Sequence, residues 1–163
     1  MGHGQGRRGR GRLAKRRRRL AALQHRPPAR AIGGDAGAKA LSRALKRDPP
    51  LRSLRLAAND VGPEGAWWIA DALGANDDLR ELDVSRNKIV SVADDIRKLR
   101  SLRVLKAEDN DLDGLPRCLR ELSELKTLRV ERNEYVNLLA SRKSSTASAV
   151  IDELRKRGCV VTA

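Results

Sequence analysis

A chain of 163 residues is long enough for one domain with a real core. It is 40% apolar, yet Phe is absent and Trp67, Trp68 and Tyr135 are the only aromatics, so that core must be Leu, Val, Ile and Ala. The net charge of +14 is uneven: residues 1–30 hold eleven bases and no acid, leaving 24 bases against 21 acids, which excludes reading the high pI as a basic binding domain.

The first predicted element is a disordered, Arg-rich arm over residues 1–31. Its Gly-Arg opening lacks apolar content, whereas LAKRRRRLAAL has the spacing to become helical on binding. Lys15, Arg16, Arg17, Arg18 and Arg19 read as a nuclear-import signal, as an arm that holds RNA or DNA by charge, or as neither. The absence of aromatics in the arm argues against sequence-selective stacking on bases. No apolar segment follows the charges as a secretory signal requires, and no run approaches the roughly 18 apolar residues that span a bilayer.

Next come two helical segments, GDAGAKALSRALKRDPP (34–50) and VGPEGAWWIADALGANDD (61–78). They align on Gly37/Gly65, Ala38/Ala66, Leu41/Ile69 and Leu45/Leu73, spacings of three and four that put those residues on one helix face. Gly33 to Gly37 and Gly62 to Gly65 are expected to form the turn before each helix.

Around these runs one eleven-residue phrase written four times: LRSLRLAANDV (51–61), LRELDVSRNKI (79–89), LRVLKAEDNDL (102–112) and LKTLRVERNEY (125–135). Its template is LxxLxLxxNxL, at spacings of 28, 23 and 23 residues. A repeat of that length marks a solenoid. Alternating apolar positions predict a short strand with one buried face, and each strand needs its neighbours to bury its leucines. Asn59, Asn87, Asn110 and Asn133 recur where the chain leaves the strand. An amide can both donate to and accept from buried backbone there, which Asp cannot. The connections at 89–101 and 112–124 leave room for only a turn or two of helix. Beyond Tyr135, residues 141–148 are expected as a loop, 149–157 as a helix stopped by Gly158, and 159–162 as a fifth strand, with Val150, Ile151 and Leu154 covering the last coil.

Leucine spacing, asparagine register and period together resemble the leucine-rich-repeat family, with ribonuclease-inhibitor-like first units and shorter repeats after them. The resemblance implies an α/β solenoid over residues 32–163, with a parallel sheet on the concave face, helices or turns on the convex face, and a C-terminal cap from about residue 136. It also implies a non-catalytic scaffold binding a protein partner, intracellular in cytoplasm or nucleus. No clean strand phrase precedes Gly33, so an alternative is a fragment of a longer repeat protein; another is a nucleic-acid-associated protein using the basic arm.

Candidate contact residues follow from the register. On the concave face stand Arg55, Asp83, Lys106 and Arg129 between buried positions, then Arg86, Asp109 and Arg132 after the strands. Neighbouring strands lie about 4.8 Å apart, so mixed charges there are expected to pair across the sheet. Arg52, Arg80, Arg103 and Lys126 form a basic column suited to an acidic partner or a phosphate backbone. Trp67 is expected to be exposed and Trp68 buried, which makes Trp67 a contact candidate on the convex side.

Catalysis finds no support. His3 and His25 both fall in the arm, and Cys118 and Cys159 show no metal-ligand spacing. DNDLDG (109–114) begins like a calcium loop, but position twelve is Arg120 instead of a bidentate Glu. The sequence therefore calls for no metal, cofactor or membrane, and leaves the oligomeric state open.

Overall fold

The computed structural model describes residues 32–47, 51–133 and 146–163. Residues 1–31, with the basic cluster Lys15 to Arg19, lie outside the described residues, as do Tyr135 and positions 141–145 of the expected loop.

The described residues open on α1 (Gly34–Leu45), enter β1 (Ser53–Arg55), cross by α2 (Pro63–Leu73) to β2 (Glu81–Asp83), and continue through β3 (Val104–Lys106) and β4 (Thr127–Arg129). Asp94–Lys98 and Arg117–Glu121 are 3₁₀ turns standing where helices would otherwise cross, and α3 (Thr146–Lys156) leads to β5 (Val160–Thr162). The strands form one parallel sheet in chain order, α/β in class. Leu54, Leu82, Leu105, Leu128 and Val161 are direct neighbours across it. All five are buried. A three-residue strand has no independent stability. The sheet persists because each coil buries its leucines against the next, at about 1.5–3 kcal/mol per side chain.

The asparagines bind the coils together. Asn87 accepts at Oδ1 from the backbone N–H of Asn59 and Val61, both 3.0 Å away in the preceding coil. Its Nδ2 donates to the carbonyls of Leu56, Val84 and Ser85. Asn110 accepts from Ile89 and donates to Val84 and Ala107; Asn133 accepts from Leu112 and donates to Ala107 and Val130. Asn59 accepts from Ile32 N–H, at the start of the described chain. The four amides thus occupy equivalent corners.

The residue before each asparagine has a positive φ without being glycine: Ala58 (58°), Arg86 (55°), Asp109 (54°) and Arg132 (57°). An L-residue there costs about 1–2 kcal/mol. The turn also aims a backbone N–H at the next coil, from Ala58 to Ser85, Arg86 to Glu108 and Asp109 to Glu131.

Gly37 and Gly65 lie inside α1 and α2, which corrects the expectation of turns there. They are points of close approach. A Cβ on Gly37 would fall on the Ile32 carbonyl, and one on Gly65 would strike the Asp35 carboxylate with Val61 and Ala38 close behind. Gly62 at the start of α2 has no side chain to cap it, and Asp35 of α1 supplies the cap instead. Its Oδ1 accepts from Gly62 N–H at 2.6 Å and Gly65 N–H at 3.0 Å.

At the far end α3 starts at Thr146, three residues before the expected position, because Ala147 and Ser148 pack inward beside Val150, Ile151 and Leu154. Arg157 donates to the carbonyls of Arg120 and Leu122, fastening α3 to the last 3₁₀ turn. Among the described residues no helix is long and apolar enough to cross a membrane.

Candidate interaction surface

Because Leu54 and its register partners point inward, the residues on either side of them must point out. Arg55, Asp83, Lys106, Arg129 and Thr162 are neighbours in one outward column, as are Ser53, Glu81, Val104, Thr127 and Val160 in another. The concave candidates therefore do form one surface, joined past the strands by Arg86, Asp109 and Arg132.

Its charges pair across the coils. Glu81 takes the Lys106 ammonium at 2.9 Å and the Arg55 guanidinium at 3.4 Å, spanning three strands. Arg129 stands 3.4 Å from Glu131 and 3.9 Å from Glu108. Asp109 receives Arg132 through two nitrogens and has Arg86 at 3.8 Å. Asp83 behaves differently from the expectation. Its Oδ1 accepts from Ser85 N–H and Oγ–H, at 3.1 and 2.7 Å. The shorter acid closes a local turn, while Glu81, one methylene longer, reaches the bases on both neighbouring strands.

Glu81 was not among the expected contact residues, whereas the register places Glu108 and Glu131 on this face, in the column that follows the strands. The alternation that placed Asp83 outward also places Glu81 there, so a signal existed for it. Glu108 and Glu131 sit two positions past their strands' central column, where the chain has begun to turn. One oxygen of Glu108 is buried with no hydrogen-bond partner among the described residues.

The hydrogen bond from Lys106 holds the Glu81 carboxyl below its ordinary range, against the opposing pull of burial. The Arg132 hydrogen bond does the same for Asp109 and raises the guanidinium in turn. Burial pulls Glu131 upward, but the Thr162 hydroxyl and the nearby Arg129 and Arg132 outweigh it and leave the group lowered. A lowered folded-state pKa stabilises above the unfolded value, about 4 for these acids, and that stability is lost as pH falls. The urea midpoint should thus hold steady from pH 7 to about 5 and decline below it. Glu81→Gln should shallow that decline, as a urea series at several pH values would measure.

The basic column sits at the rim of this face. Arg52, Arg80, Arg103 and Lys126 are exposed and consecutive, since Arg80 N–H donates to Arg52, Arg103 to Arg80 and Lys126 to Arg103 through the backbone. Arg103 lies 3.6 Å from Glu124. The side chains of Arg52, Arg80 and Lys126 have no ion pair among the described residues.

On the convex side Trp67 is 49% exposed. Trp68 is half-buried, not buried as expected. Its indole N–H donates to Glu64, Lys39 lies 4.6 Å over its ring, and Trp67 meets it edge-on. The contact given for it from α1 is the Lys39 ammonium, a single charged group over one face of the ring.

Both thiols are buried, and desolvation, helped by Asp94, pushes Cys118 up to about 11. Asp109 and Asn110 of the calcium-like stretch are occupied, the first by arginines and the second in the asparagine ladder.

Two family models match the chain, both described as leucine rich repeat: one over residues 77–134, the other, of the ribonuclease-inhibitor type, over residues 47–66. Among solved structures, a leucine-rich-repeat protein of Leptospira interrogans is similar at 22% identity and a TM-score of 0.49, over 70% of this chain and 26% of that one. This chain thus spans about a quarter of that protein's length. The second actin-binding site of leiomodin-1 is similar at 17% identity and a TM-score of 0.43, over 76% of this chain and 73% of that one. No curated protein matches.

Proposed function

The chain belongs to the leucine-rich-repeat family, and on that premise we propose that it is a non-catalytic scaffold that binds an acidic protein partner across the concave sheet and its basic rim. Repeats of this kind commonly bind proteins. What carries the reading is the contrast within the surface. Arg55, Lys106, Arg129, Arg86 and Arg132 are balanced by Glu81, Glu108, Glu131 and Asp109, whereas Arg52, Arg80 and Lys126 hold charge that nothing described nearby offsets. The face supplies a rigid, self-neutralised platform with shape and register. The rim supplies the net field that steers an acidic partner onto it. Asp83, turned onto Ser85, leaves Arg55 and Lys106 to Glu81, and a partner carboxylate competes with Glu81 for them.

The test is affinity for a captured partner at two salt concentrations, with and without Arg52→Glu, Arg80→Glu and Lys126→Glu together. The triple variant is expected to weaken binding about tenfold or more and to flatten the salt dependence. Reversing Arg117 and Arg120 on the convex side should change little. Undiminished binding by the rim variant refutes the proposal.

A second reading has one observation behind it, the eleven bases and no acid of residues 1–30. On that reading the arm, with Lys15, Arg16, Arg17, Arg18 and Arg19, supplies affinity for RNA or DNA while the repeats recruit a protein. Removing residues 1–30 and measuring RNA binding at low and high salt distinguishes it.

A further inference from the structure

The outward column Ser53, Glu81, Val104, Thr127 and Val160 changes character along the concave sheet. It is polar in β1 and β2, and in β3 to β5 two valines flank a threonine. Val160 is 62% exposed, and Val104 and Thr127 are half-buried. Strands favour β-branched residues, yet Ser53 and Glu81 demonstrate that this column accepts polar ones as well. With strands about 4.8 Å apart, Val104, Thr127 and Val160 make a strip about 10 Å long.

The charges beside the strip turn away from its open end. Lys106, two residues past Val104, reaches back to Glu81 of β2 at 2.9 Å. Arg129, two residues past Thr127, goes to Glu131 and Glu108 at 3.4 and 3.9 Å. Both pairs lead away from Val160. The edge beyond it is partly closed. Val160 N–H and the Thr162 carbonyl serve β4, so the Val161 carbonyl between them faces outward, and Arg155 donates to it there. What this end of the sheet offers is therefore its face. On the remaining flank stands the basic rim, with Arg103 one residue before Val104 and Lys126 one residue before Thr127.

We infer that Val104, Thr127 and Val160 seat an aliphatic side chain of the acidic partner, whose neighbouring carboxylates lie over Lys126 and Arg103. This rests on the rim reading and narrows the class of partner: an acidic segment with Leu, Ile, Val or Met set among its acids. Charge steers such a segment onto the rim, and burial of the aliphatic residue against the valines holds it. A purely acidic chain meets the same bases but leaves the valines in water. A second copy of this chain, at +14, brings the wrong charge.

The probe is a random peptide library, first depleted on a synthetic peptide of residues 1–30 and then selected on the full-length protein. Enriched peptides should combine acids with at least one aliphatic residue and should shift the methyl resonances of Val104 and Val160. Val104→Thr with Val160→Thr keeps the β-branched shape and should weaken these peptides about tenfold with the salt dependence unchanged. Val160→Ser alone, at the exposed end, should act in the same direction. The rim triple variant should weaken them and flatten the salt dependence. Unchanged thermal midpoints show that the variants remain folded. No enrichment, acidic peptides without aliphatic residues, or peptides indifferent to the valine variants would overturn the strip and leave the rim reading standing. Peptides sensitive to the valine variants but indifferent to the rim variant would sink the rim reading, and the acidic flank with it. Dimerisation of the parent that the valine variants abolish would make the occupant a second copy and overturn the inference.

Discussion

Asn87→Asp is expected to destabilise the domain by about 3–5 kcal/mol, the range for leaving a buried charge uncompensated. The parent amide donates to three carbonyls and accepts from two N–H groups. Aspartate keeps the accepting oxygen but sets a second one against three carbonyl oxygens, of which Leu56 loses its side-chain donor while Val84 keeps Asn110 and Ser85 keeps the Ala58 N–H. Asn87→Ala removes the repulsion but takes the acceptor from the Asn59 and Val61 N–H groups and the donor from the Leu56 carbonyl, so it should be comparably costly. Urea denaturation measures both, and a loss under about 1 kcal/mol for the Asp variant would show that the corner is hydrated instead of buried. The damage should be local to two coils. Hydrogen exchange should quicken first at Asn59 and Val61, whose N–H groups lose their acceptor, before β4 is affected.

Replacing Gly65 should have the next largest effect. A single methyl meets the Asp35 carboxylate, Val61 and Ala38 together, so Gly65→Ala both overpacks the α1–α2 contact and displaces the cap on α2. Overpacking costs about 1–3 kcal/mol and a lost cap about 0.5–2, giving an expected loss of about 2–4 kcal/mol. Asp35→Ala isolates the second part and should cost about 1–2 kcal/mol. Gly114→Ala is the control, since nothing lies within 4 Å of the added carbon. Thermal or urea melts of the three variants should rank in that order. A Gly65→Ala protein as stable as the parent would mean that α1 and α2 can separate freely.

What the sequence made legible was periodic along the chain. Leucine alternation and asparagine register specify strand, inward face and corner, because those depend on residues two, three and five positions apart. The sites misread or missed depend on neighbours a whole coil away. Gly65 looks like a turn residue unless Asp35, thirty positions earlier, is known to press on it. Glu81 rather than Asp83 gathers the bases because of one methylene of reach, which a pattern of charge signs does not contain. Trp68 stays half-covered, with the Lys39 ammonium of α1 over its ring, a contact between residues 29 positions apart.

The exchange of an α-helical crossing for 3₁₀ crossings also sets how the molecule bends. Strands stack about 4.8 Å apart, whereas packed helices require about 8–10 Å, so coils backed by α1 and α2 must splay outward like a fan. Coils backed by slimmer turns splay less. The arc is therefore expected to be tighter near β1 than toward β4, a hollow that an extended or jointed ligand would follow better than a ball-shaped one.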